Sequence, residues 1–435
     1  MEWNIHNGCV SGLAQLDDHD CAVPDGVTLR DGNIVSFRFP EGVKIISGHW
    51  SEYASLLDQV HIPHGVTEIG TGVFGGCRSL RQVKLPDTLQ TIGYWAFEGC
   101  SSLEEIMLPD EILEIGHDAF RNCTALRSVR MPAAVQQKIF GGFEDCRSLE
   151  TLELPDGIEF IWVEAFHNCE SLRQIRFSDT ITEISIGAFK NCVSLEDVRL
   201  PSGLQKISSA AFQNCSGIRS LLIPENVEKI EANENGFHTM VNLEEIQLPG
   251  QLRELPTYFD AKETVHYLFN GYIDHGWKST GPKPAEYHQR SSYDKYSTYE
   301  YTPYGMFQHC NALKTIIVPG SVETIDVCCF ANCENLTSVT LREGTKKIRD
   351  YAFAQCPCLR EVRLPDSLEV IEKGAFQDCS ALEVLHIGSS VKEIEDGAFA
   401  GCTVLKLYIK NNTYAQAIAV RQKIPFETEH ISVNP

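Results

Sequence analysis

The chain has 435 residues, with 37 Lys and Arg against 59 Asp and Glu, for a formal net charge of −22. That excess repels a phosphate backbone and an anionic lipid surface, which argues against nucleic acid as a partner. A hydrophobic fraction of 43% with 22% charged residues is that of a folded chain, and no apolar run reaches the roughly twenty residues of a membrane span.

The amino-terminal stretch MEWNIHNGCVSGLAQLDDHDC carries acidic residues where a secretory signal carries basic ones, and it lacks a continuous apolar run. The sequence therefore predicts a cytoplasmic protein, with the cell surface or secretion as the alternative. The 17 cysteines then belong to a reducing compartment, where thiols stay free. Residues 1–34 read as an N-terminal cap.

From residue 35 the chain repeats itself. A phrase of the form Phe-x-x-Cys-x-x-Leu-x-x-Val-x-Leu-Pro recurs with a period of 23 residues, anchored at Phe74, Phe97, Phe120, Phe143, Phe166, Phe189 and Phe212. It slips by two residues at Phe237 and resumes at Phe307, Phe330, Phe353, Phe376 and Phe399. A degenerate copy precedes these, since Phe39-Pro40 lies 23 residues before Ile62-Pro63 and Leu57 lies 23 before Leu80. Within one copy, Leu80, Val83 and Leu85 have the spacing that turns all three inward through a short strand, with Gln82 and Lys84 outward. Pro86 ends that strand, having no N–H for a ladder, and Leu89, Ile92 and Phe97 return apolar groups to the same interior. One copy cannot bury this interior alone, so neighbouring copies must complete it.

The first block of repeats covers 35–255 and the second 307–410. Between them, residues 256–306 form an insertion: the spacing from Leu255 to Phe307 is 47 residues longer than in a normal copy, and it holds nine of the 14 tyrosines. Tyr267, Tyr272, Tyr287, Tyr293, Tyr296, Tyr299 and Tyr301, with Trp277, supply large contact area at low rotamer cost, as recognition surfaces do. The segment is read as a binding excursion, a flap packed on the repeats, or two eroded copies, 47 being close to twice 23. Residues 411–435 form a C-terminal cap, with a short helix over Tyr414 to Lys423 and a strand at Ile424-Pro425-Phe426.

The phrase with Leu108-Pro109, Ala119-Phe120 and Asn122-Cys123 resembles the BspA-like, or Treponema-type, leucine-rich repeat proteins over about residues 35–426. The resemblance implies a leucine-rich repeat solenoid of α/β-type repeat architecture. Each 23-residue coil would carry a short parallel strand, mostly β and loop, and the stack would curve as a right-handed superhelix. It also implies a non-catalytic protein-binding scaffold, often a bacterial surface adhesin for host or matrix proteins.

Two ladders run through the copies. Cys77, Cys100, Cys123 and their equivalents to Cys402 share one position that Met240 also fills, which reads as apolar packing by a weak donor beside backbone carbonyls. Cys328, Cys329, Cys333, Cys356, Cys358 and Cys379 gather in adjacent copies, but Cys-Pro-Cys lacks the spacing of a zinc site, and no metal or cofactor is assigned. The second ladder is the outward row before the last strand residue: His61, Lys84, Met107, Arg130, Glu153, Arg176, Arg199, Leu222, Gln247, Ile317, Thr340, Arg363, His386 and Tyr408. In leucine-rich repeat folds this row lines the concave face, so Lys84, Arg130, Glu153, Arg176, Arg199, Arg363 and His386 are the candidate partner-binding residues. The alternative for them is a solvated face closed by cross-strand ion pairs such as Arg176 with Glu153. The common catalytic motifs are absent, and the chain reads as non-enzymatic, with an enzyme site in the insertion around His266, Asp260 and Asp274 as the remaining alternative.

Overall fold

A computed structural model describes residues 2–6, 9–14, 27–30, 33–48, 56–136, 139–231, 237–255 and 305–429. They form about 14 coils of a leucine-rich repeat β-solenoid. Parallel pairing sets the register. Gln59–His61 pairs with Gln82–Lys84, and Thr151–Glu153, Gln174–Arg176 and Asp197–Arg199 pair in succession, each offset by one 23-residue coil. The C-terminal half continues the row without a break from Ser220–Leu222 to Lys406–Lys410 and on to Phe426–Glu429.

Each coil carries a second strand as well. Two-residue segments such as Thr91–Ile92, Glu114–Ile115 and Glu183–Ile184 pair with their neighbours into a second row, where the sequence predicts one strand per coil. The third side of the coil is a run of turns, and it too is hydrogen-bonded between coils: the Phe97 N–H donates to the Ala119 carbonyl at 2.8 Å and Phe166 to Ala188 at 2.8 Å. All three sides therefore satisfy their backbone groups through the next coil, which a lone coil cannot do.

Inside, the recurrent Phe side chains form two stacks, Phe74 to Phe212 and Phe237 to Phe399. Ring centroids lie 5.4 Å apart for Phe74 and Phe97, 5.1 Å for Phe166 and Phe189, and 5.1 Å for Phe307 and Phe330. The recurrent Leu, Ile and Cys side chains bury against them as one core. In the first full copy Val83 and Leu85 are only half-buried, because a groove described below opens beside them.

The cysteine ladder has a specific reason. From Cys100 onward each thiol donates to the carbonyl of the Phe in the preceding coil: Cys123 Sγ to Phe97 O at 3.2 Å, Cys169 to Phe143 at 3.1 Å, Cys379 to Phe353 at 3.0 Å. Each therefore fills a small apolar site and satisfies a buried acceptor. The residue before it turns the chain through positive φ, which Asn and Asp tolerate, as at Asn122 (59°), Asn168 (60°) and Asn214 (60°). Neighbouring asparagines then join: Asn214 Nδ2 donates to Asn191 Oδ1 and Asn191 Nδ2 to Asn168 Oδ1, both at 2.7 Å. The Asn-Cys phrase is thus one structural unit.

Two irregularities interrupt the array. Ile139–Phe140 pairs with Phe160–Ile161 at an offset of 21 instead of 23, so Phe140 takes the place of the usual Ile and only Gly141 and Gly142 separate it from Phe143. The insertion is the other. Glu245–Gln247 pairs directly with Thr315–Val318, Phe237 stacks on Phe307 at 5.4 Å, and Cys310 Sγ donates to Phe237 O at 3.4 Å. The stack passes from one coil to the next as if the insertion were not there, which rules out eroded copies lying between them. The chain re-enters at Gly305, where a Cβ would sit 2.0 Å from the Cys328 carbonyl oxygen.

At the N-terminus, Glu2–His6 and Cys9–Ala14 form an antiparallel hairpin, as do Val27–Arg30 and Asn33–Arg38. The strand Asn33–Arg38 straddles the cap boundary at 34 because it is at once the hairpin's second strand and the first strand of the solenoid, pairing with Gln59–His61. At the other end the helix Thr413–Gln422 is capped by Asn412, whose side chain accepts from the Ala415 N–H at 2.9 Å and donates to the carbonyl of Val391 at 2.7 Å. Among the described residues no helix is long and apolar enough to cross a membrane.

Candidate binding face

The outward side chains run as three paired series on three successive sheets. Arg38, His61 and Lys84 are partners across adjacent strands, as are Glu153, Arg176 and Arg199, and the series from Leu222 through Gln247, Ile317, Thr340, Arg363 and His386 to Tyr408. Arg38, in the degenerate first copy, escapes sequence reading, although it lies 23 residues before His61.

The row differs along its length. At the C-terminal end it satisfies itself: Arg363 Nε donates to Glu361 Oε1 at 2.9 Å, His386 and Tyr408 stack at 5.2 Å, and Lys406 Nζ lies 5.3 Å from the Tyr408 ring centroid. In the middle Arg130 reaches Asp110 at 3.2 Å and Arg199 reaches Asp197 at 3.6 Å, both pairs well exposed and so weak. The ion pair expected between Arg176 and Glu153 does not form, although the two are register partners. Where these row arginines do pair, they use a carboxylate two residues earlier on their own strand or one in the turn behind, which competes with the cross-strand geometry. Apolar groups interrupt the charge, with Met107 77% exposed and Leu222 and Ile317 57% and 50% exposed on either side of Gln247. Large apolar side chains left in water beside arginines are characteristic of interface cores.

Two concavities flank the face and the insertion. A groove of about 1310 Å³ lies at the N-terminal end, between the Val27–Arg30 and Asn33–Arg38 hairpin and the first strands of the row. A second, of about 870 Å³, lies beside Leu255, between Arg253, Glu254 and Asp326. The candidate residues Tyr267, Tyr272, Trp277, Tyr287, Tyr293, Tyr296, Tyr299 and Tyr301, and the alternative set His266, Asp260 and Asp274, lie outside the described residues.

The described ladder thiols are free and, apart from half-buried Cys402, buried; burial pushes those of Cys77 and Cys123 up to about 12, which keeps them protonated near neutral pH. Glu144, Glu164 and His167 converge closely, but Arg121 already occupies this carboxylate, its Nε lying 3.1 Å from Glu144 Oε2 and its Nη2 donating to Oε1 at 3.3 Å. A guanidinium in that place opposes a metal cation. Sequence reading missed this cluster because Glu144 and His167 share a repeat position, the one after the recurrent Phe, that holds a different kind of residue in other copies.

Stacked coils closed by parallel strand rows, with one row presented outward, define a leucine-rich repeat solenoid. The model of the BspA type leucine rich repeat region matches residues 44–142, 140–263 and 300–419 in six copies, and the chain belongs to this family. Among solved structures it is similar to a leucine-rich repeat protein from Bacteroides ovatus, at 21% identity over 99% of this chain and 98% of that one, with a TM-score of 0.59. A leucine rich cell surface protein from Faecalibacterium prausnitzii matches at 21% identity over 96% of this chain and 97% of that one, with a TM-score of 0.40. No curated protein matches.

Proposed function

We propose that the protein is a non-catalytic scaffold that binds another protein through the outward strand row, with the Tyr-rich insertion as a second contact. One observation carries the reading: the row of outward side chains leaves Arg176 unpaired and Met107, Leu222 and Ile317 in water, while the recurrent Phe side chains behind it are buried. Arginine forks suit carboxylates on a partner, and the exposed apolar groups supply area that loses water on contact.

The test is affinity capture with chemical cross-linking, comparing the native protein with Arg130→Glu/Arg176→Glu/Arg199→Glu and, separately, with residues 260–302 deleted. Capture of the partner falls at least about tenfold in the triple variant, with the melting transition still cooperative, since reversing charges across an interface costs more than removing them. Unchanged capture in both variants removes these surfaces from the account.

A further inference from the structure

The first three positions of the row differ from the rest. Arg38, His61 and Lys84 stand on adjacent strands, roughly 4.8 Å apart, in a chain whose net charge is −22. None of the three makes an ion pair with another described residue, whereas Arg81 at the edge is met by Asp58 at 3.7 Å. They face the groove of about 1310 Å³, whose wall also includes half-buried Val83 and Leu85 and exposed Met107. The groove therefore combines two cations that make no ion pair, Arg38 and Lys84, with an apolar wall, and Glu41 and Glu105 stand beside them.

We propose that this groove binds an extended acidic peptide segment of a protein partner, with Arg38 and Lys84 holding its carboxylates and Met107, Val83 and Leu85 receiving an apolar side chain between them. The assignment rests on reading the strand row as a binding face and names the chemistry of its N-terminal end. Arg38 and Lys84, about 10 Å apart across His61, match two carboxylates, the reach of about three extended residues. A continuous polyanion such as a sulfated polysaccharide fits worse. It would run against Glu41 and Glu105 on the groove wall, whereas a peptide offers those carboxylates its N–H groups.

His61 adds a dependence on pH. Its ring is held below the ordinary 6.5 first by burial and then by Lys84 and Arg38, with Glu41 opposing. At pH 7.5 it is neutral, and on lowering the pH it becomes a third cation facing the bound carboxylates, so acidic peptide binding tightens.

The probe is a fluorescein-labelled peptide of alternating Glu and Leu, followed by fluorescence anisotropy with the full chain. Saturable binding is expected, weakening as salt is raised and tightening several-fold from pH 7.5 to 5.5. Arg38→Gln/Lys84→Gln and Arg38→Glu/Lys84→Glu weaken it at least about tenfold, His61→Ala removes the pH effect, and Lys392→Glu, on the second strand row, leaves it unchanged. No binding, binding indifferent to both double variants, or a heparin oligosaccharide bound in the peptide's place would overturn the assignment. The two readings fail separately. Partner capture that depends on Arg130, Arg176 and Arg199 without peptide binding removes the groove alone, and peptide binding without row-dependent capture removes the scaffold reading alone.

Discussion

Phe166→Ala lowers the free energy of unfolding by about 3–5 kcal/mol, the range for emptying a fully buried aromatic site. Phe166 is inaccessible to solvent and stacks on Phe143 at 6.0 Å and on Phe189 at 5.1 Å, so its loss opens a gap shared by three coils. Those flanking coils cannot collapse inward, because their strands are pinned by pairing on both sides. Urea denaturation followed by circular dichroism measures the loss. Because coupling in a solenoid runs between nearest neighbours, the weakened junction also broadens the transition. Leu222→Ala, which removes an exposed side chain from the strand Ser220–Leu222, costs less than about 1 kcal/mol. An equal loss in both variants would mean that the Phe stack is not the core.

The second large effect is alkaline. Burial pushes the Cys123 thiol up to about 12 from an ordinary value of 9.0, and drives those of Cys146, Cys169 and Cys192 upward in the same way. A raised folded-state value means the stabilisation is fully present below about pH 9 and is lost as pH climbs toward the folded value, because the unfolded chain releases protons that the folded chain keeps. Each buried thiol then loses about 1.4 kcal/mol per pH unit above that point. With coils repeating the same group, the losses accumulate, and the melting temperature falls steeply between pH 9 and 10.5. Lysine and tyrosine titrate in the same window, so the measurement is a difference: replacing Cys123, Cys146, Cys169 and Cys192 by Ala makes the fall shallower by roughly 5 kcal/mol per pH unit. Identical slopes in the two proteins would contradict burial of the ladder.

The inward side of this molecule was legible in its sequence because one physical requirement, a core shared between coils, acts on every copy alike. Phe, Leu, Ile and Cys had to recur at fixed offsets, and they did. The packing role of Cys was also readable, since Met240 showed the position to be apolar. The second strand row was not, because two residues such as Thr91-Ile92 are too short to display an alternation. The offset of 21 at Ile139–Phe140 escaped because Phe143 keeps the 23-residue spacing while the chain before it shortens its corner. On the outward row no common requirement operates. The free Arg176 depends on rotamers and competing acids, and the cationic end at Arg38 was hidden in a copy that had lost its Phe and Cys. The direct pairing of Glu245–Gln247 with Thr315–Val318 needed coordinates, since 47 extra residues fit an excursion and two coils equally well on paper.

The central claim is that one 23-residue unit is one closed turn of the stack, interchangeable with its neighbours. Deleting residues 174–196 joins Arg173 to Asp197 and brings Asp197–Arg199 into the register vacated by Gln174–Arg176, whereas deleting residues 174–185 leaves half a turn unpaired. Denaturation of the two deletion proteins tests the claim directly. The account predicts a cooperative transition close to the native one for the first and loss of cooperative folding for the second; equal stability of both would contradict it.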